Sequence, residues 1–97
     1  MEIIHLDDEN KFKELIKDTI LVDFYATWCG PCKMLANVLE NVDSKIKVLK
    51  VDTDEFENLA REYHIMSIPT LILFKEGKEV KKNIGFIDEN SLENFLK

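Results

Sequence analysis

Ile20-Leu21-Val22-Asp23-Phe24-Tyr25-Ala26-Thr27-Trp28-Cys29-Gly30-Pro31-Cys32-Lys33 is the stretch that decides how this chain folds. It begins with an almost unbroken apolar run, Ile20 to Ala26, the pattern of a strand covered on both faces. It leads into a helix-like stretch, Lys33 to Val42, where Met34, Leu35, Val38, Leu39 and Val42 mark one face. Between them lie the only two cysteines of the chain, as Cys-x-x-Cys. A strand handing over to a helix places these thiols at a helix N-terminus. Unpaired N–H groups and the positive end of the helix dipole stabilise a thiolate there, and the thiolate is the nucleophile.

The local geometry follows from capping rules. With Cys29 as N-cap, Gly30, Pro31 and Cys32 are the first three helical residues. An N-cap side chain accepts from the second or third N–H. Pro31 has none to give and is tolerated in a first turn, so the sulfur of Cys29 is expected to face the N–H, and the thiol, of Cys32. A free cysteine near pKa 8.5 is only about 3% thiolate at pH 7, and raising that to half takes roughly 2 kcal/mol. Charge-assisted hydrogen bonds at a helix terminus are of that order.

Two other uses of such a pair are weaker. As a structural staple, a four-residue loop contributes only about 2 kcal/mol, against nearly 5 for a loop of a hundred residues. As half of a zinc site, it needs a second pair of ligands, and the chain offers only the isolated His5 and His64. Both histidines read as plain surface or core-edge residues, and no metal is expected. Redox chemistry remains. Asp23 stands out beside it, because a carboxylate within Leu21-Val22-Asp23-Phe24-Tyr25 is costly to bury unless paired or protonated.

Outward from this stretch, the chain reads as alternating short strands and helices. Ile3 to Leu6 is a first strand. Asp7 to Asn10 start a helix carrying Phe12, Leu15 and Ile16 through Lys17. Ile46, Val48, Leu49 and Val51 form a third strand, and Phe56, Leu59, Ala60 and Tyr63 show helical spacing. Thr70 to Phe74 is a strand, Glu76-Gly77 a turn and Val80 to Ile84 its hairpin partner. Asp88 caps a last helix with Leu92, Phe95 and Leu96. The order βαβαβαββα implies an α/β sandwich with a mixed central sheet. At 97 residues the chain is expected to be a single domain, residues 1–97, with one core.

The net charge of -6 argues against nucleic acid as a partner, which needs a basic face, and against anionic membranes. No segment approaches the length of a membrane-spanning helix. Met1 to Asp8 lacks the basic-then-apolar pattern of a signal peptide, and Asn94-Phe95-Leu96-Lys97 is no lipidation signal. A cytoplasmic location is expected, where two close cysteines read as catalytic. No glycine-rich phosphate loop is present, so no bound dinucleotide is expected.

Val22 to Lys33 resembles the active-site segment of the thioredoxin family. Lys50-Val51-Asp52-Thr53-Asp54, Ile68-Pro69-Thr70, Phe74-Lys75-Glu76-Gly77 and Gly85 recur in that family's order and spacing, so the resemblance spans Ile3 to Leu96. It implies a thioredoxin fold: a five-stranded mixed sheet in the order 1-3-2-4-5, flanked by four helices. It also implies a general dithiol–disulfide oxidoreductase, a redox carrier with protein-disulfide reductase activity. Cys29 would attack, Cys32 would resolve, Asp23 would exchange a proton with Cys32, and Lys50 would lie beside Asp23. Pro69 would be a cis-proline facing the cysteines. Ser67 and Ile68 would offer backbone groups to an extended substrate, and Trp28, Gly30, Pro31, Gly85 and Phe86 would border the docking surface. The implied partners are disulfide-containing proteins and a thioredoxin reductase, a flavoenzyme drawing on NADPH. The carrier itself would be a monomer without a cofactor.

Four departures from the family pattern are visible. Asn37 stands where many members have a helix-kinking proline, and the connection before Ile46 is short. Phe86 replaces a smaller residue, which enlarges the apolar docking surface. Tyr25 replaces a tryptophan or phenylalanine. A rival reading is a binding module that uses the same docking face with an incidental dithiol; the set Cys29, Cys32 and Asp23 argues against it.

Overall fold

A computed structural model describes residues 1–97. The elements are β1 (Ile3–His5), α1 (Phe12–Leu15), β2 (Ile20–Tyr25), α2 (Gly30–Asn41), β3 (Lys47–Asp52), α3 (Glu57–Glu62), β4 (Thr70–Lys75), β5 (Lys78–Ile84) and α4 (Glu89–Phe95). The five strands form one sheet in the order β1-β3-β2-β4-β5. β1, β3 and β2 run parallel, while β4 is antiparallel to β2 and β5 to β4. This is the expected thioredoxin fold with its mixed sheet.

The central strand β2 is buried along Ile20 to Phe24 because it has a layer on each face. Ile20, Val22 and Phe24 point to one side, where Phe12, Ile16, Phe56 and Leu59 cover them. Leu21 points to the other, against Leu35 and Leu39 of α2 and Leu92 of α4. Full burial of leucines such as Leu35 and Leu39 stabilises the fold by about 1.5–3 kcal/mol each. Pleat alternation carries Asp23 and Tyr25 to the α2 side with Leu21.

The first helix is shorter than its sequence pattern implies. Asp8 caps a separate 3₁₀ turn, Glu9–Lys11, by accepting from the N–H of Asn10, and α1 proper is a single turn. Only Phe12 and Ile16 of this segment are fully buried. Packing therefore rewards one helical turn and no more, and a four-residue helix has little stability of its own. The connection from α2 to β3, Val42 to Ile46, is short as expected. The amino group of Met1 donates to Val42 O at 2.8 Å, satisfying a carbonyl at the end of α2. The β4–β5 hairpin turns on Glu76 and Gly77 with positive φ at both, the backbone of a two-residue primed turn.

Candidate active site

Cys29 is the N-cap of α2 and sits in extended backbone, φ −87° and ψ 116°. Its sulfur accepts from the N–H of Cys32 at 3.2 Å. Pro31 falls within the first turn, where its missing N–H costs nothing. The capping geometry deduced from Cys-Gly-Pro-Cys is therefore the observed one. The two cysteines are joined as a disulfide, their Cα atoms 5.2 Å apart. Both are almost wholly buried, in a small cluster with Ala26, Tyr25 and Ile68. Gly30 and Pro31 are exposed beside them.

Three loops meet at this cluster. The Ile68–Pro69 peptide bond is cis, and Ile68 O lies 4.0 Å from Cys29 Sγ. Thr70 Oγ1 donates to Ser67 O at 2.7 Å, tying the loop before β4. Gly85, at φ 95°, donates its N–H to Pro69 O at 2.8 Å. Pro69 thus lies between the cysteines and the Gly85-Phe86 turn. Ser67 is exposed, Ile68 half-buried and Pro69 buried. Trp28 and Phe86 expose 68% and 43% of their surfaces, which makes the rim around the disulfide apolar.

Sequence reasoning did not assign a partner to Trp28. Its indole N–H donates to Asp54 Oδ2 at 2.8 Å, and the N–H of Asp54 donates to Asp52 Oδ1. The hydrogen bond holds the ring at its edge while the side chain stays largely exposed. Asp54 lies in Lys50-Val51-Asp52-Thr53-Asp54, but an exposed aspartate in an acidic segment carries no signal that separates it from its neighbours.

Asp23 has no exposed surface, and neither carboxylate oxygen has a hydrogen-bond partner. The β2–β3 register places Lys50 directly opposite, with Nζ 3.8 Å from Asp23 Oδ2. That is an ion-pair distance and too long for a hydrogen bond. Burial pushes the Asp23 carboxyl up to about 6, and the charge of Lys50 offsets part of the rise. Lys50 Nζ also lies 4.3 Å from the centre of the Tyr25 ring, a contact not anticipated from the sequence. Burial, with nearby Asp52, raises the Tyr25 hydroxyl pKa. Asp23 sits between Leu21, which packs with Leu35, and Tyr25, which packs with the cysteines. This places the carboxyl beneath the first turns of α2. No three His, Cys, Asp or Glu side chains are grouped so as to hold a metal.

A Cys-x-x-Cys disulfide capping a helix beside a cis-proline is the constellation that the family resemblance implied. The thioredoxin family model matches residues 2–97. The chain belongs to the thioredoxin family. A thioredoxin of Staphylococcus haemolyticus is 45% identical over 99% of this chain and 96% of its own length. A thioredoxin of Bacillus subtilis is 40% identical over the same shares. Among solved structures, a mutant thioredoxin from Halobacterium salinarum superposes with a TM-score of 0.91 at 35% identity, covering 98% of this chain and 88% of that one. The oxidised thioredoxin of Plasmodium falciparum does so at 0.85 and 29% identity, covering 98% and 95%. In this thioredoxin-family protein the Cys29–Cys32 pair is consistent with dithiol–disulfide exchange.

Proposed function

We propose that this protein is a general reductant of protein disulfides, with Cys29 as nucleophile and Cys32 as resolving thiol. The observation that carries the reading is the Cys29–Cys32 disulfide at the N-terminus of α2, with Cys29 as its cap. In the reduced protein, the Cys29 thiolate attacks one sulfur of a substrate disulfide and expels the other as a thiolate. Cys32 then gives up its proton and attacks Cys29 Sγ. The second substrate thiolate leaves, and the Cys29–Cys32 disulfide closes. Two electrons pass to the substrate in each cycle.

Asp23 takes the proton of Cys32 and returns it on reduction; its burial, its place under α2 and its raised pKa support this role. Lys50 is its partner, an assignment supported by their 3.8 Å separation. The substrate lies in extended form against Ser67, Ile68 and Pro69, with Trp28, Gly30, Pro31, Gly85 and Phe86 as the rim. The exposed apolar surface of Trp28 and Phe86 supports that placement. Electrons come from NADPH through a flavoenzyme thioredoxin reductase, and the protein works in the cytoplasm in redox homeostasis. Family membership supports both statements. No helix is long and apolar enough to cross a membrane.

Insulin reduction driven by dithiothreitol tests the proposal. The protein should speed precipitation of the insulin B chain well above the dithiothreitol background, and Cys29→Ser should not. A wild-type rate equal to background would leave only a binding module on a thioredoxin fold.

A further inference from the structure

We infer that Met66 is a modification site, a thioether whose oxidation to the sulfoxide by a hydroperoxide weakens docking of protein substrates. The inference rests on the docking face proposed above. Met66 exposes 92% of its surface, the most of any large apolar side chain here. It lies in the loop that supplies Ser67 and Ile68, and Ile68 O lies 4.0 Å from Cys29 Sγ. With Thr53, Ile65, Ser67 and Ile68 it lines an open depression of about 210 Å³. A substrate chain extended along Ser67-Ile68 must pass this thioether. Met66 makes no hydrogen bond and joins no core cluster, so its modification leaves the fold in place.

The redox state selects the target. In the disulfide form there is no free cysteine. The oxidisable sulfurs are then Met1, which is half-buried, Met34, 55% exposed on α2, and Met66. The thioether sulfur attacks the peroxide, takes one oxygen and loses two electrons. The O–O bond breaks, and water (or an alcohol) leaves. The product is polar, and its oxygen must be desolvated when a substrate covers it. Methionine sulfoxide reductases reverse the change.

The test oxidises the disulfide form with dilute hydrogen peroxide, removes the peroxide, reduces the disulfide and desalts. Peptide mass spectrometry should find the first added oxygen on Met66. Single-turnover rates are then measured with insulin and with a small aryl disulfide. The insulin rate constant should fall about three- to tenfold, the scale of partly burying one polar group, while the aryl disulfide rate should hold. Met66→Leu should lose this response to peroxide, and Met66→Gln should show the lowered insulin rate without it. First oxidation at Met34 or Met1, or an unchanged insulin rate in the Met66 sulfoxide, overturns the inference alone. An untreated protein that does not reduce insulin overturns the proposed function instead.

Discussion

Asp23 is a costly residue that the fold keeps at its centre. It is fully buried, both oxygens lack hydrogen-bond partners, and Lys50 stands 3.8 Å away. Its folded pKa, about 6, lies above the ordinary 3.8. The folded state therefore holds the proton more tightly than the unfolded state. Linkage then gives a penalty that is absent below pH 4, grows between about pH 4 and 6, and is complete above that. Asp23→Asn removes the charge and should stabilise the fold by about 1–3 kcal/mol at pH 7 and by nearly nothing at pH 4. The amide cannot accept the Cys32 proton, so insulin reduction near pH 7 should fall about tenfold or more. Denaturant melts at both pH values, paired with rates, check this. A mutant that is less stable at pH 7 and fully active would contradict the account. A polar residue in an apolar run announced Asp23 from the sequence. Nothing comparable announced Asp54, because its importance lies in a hydrogen bond to Trp28 across 26 residues of chain.

Among the elements, α2 was legible down to its cap, because Cys-Gly-Pro-Cys combines a side-chain acceptor with a proline at a tolerated position. The end of α3 was not. His64 takes positive φ, 56°, while its N–H donates to Arg61 O and the N–H of Ile65 donates to Ala60 O. This is a Schellman ending, where glycine is the usual residue. A histidine at that position sends no stop signal, and the sequence marks it only as a plain surface or core-edge residue. His64 is exposed, and its backbone alone closes the helix. Left-handed backbone costs an L-residue about 1–2 kcal/mol, part of which glycine returns as unfolded-state entropy. His64→Gly should therefore raise stability by about 0.5–1 kcal/mol, and His64→Val should lower it by about 1. Urea titrations distinguish these signs, and a destabilised His64→Gly would refute the reading. α1 failed for another reason. Its polar start was read as helix, yet only one turn has a hydrophobic seat in the core.

At the scale of the molecule, the covering of both faces of β2 could be anticipated from its apolar run, whereas the strand order followed from the family resemblance. The meeting of Cys29, Ile68 and Gly85 could not be read from spacing, since it depends on how β4 and β5 return beside β2; family resemblance supplied it. The Tyr25–Lys50 contact and the exposure of Met66 were hidden too, because each depends on side-chain packing rather than on pattern. The central claim is that Cys29 attacks and Cys32 resolves, and the most direct measurement is a trapping experiment. Reduced Cys32→Ser protein, incubated with a protein disulfide and mapped by non-reducing peptide mass spectrometry, should hold the substrate covalently on Cys29. Cys29→Ser should hold little. No adduct on a folded Cys32→Ser protein, or trapping chiefly through Cys32 in Cys29→Ser, would contradict the account.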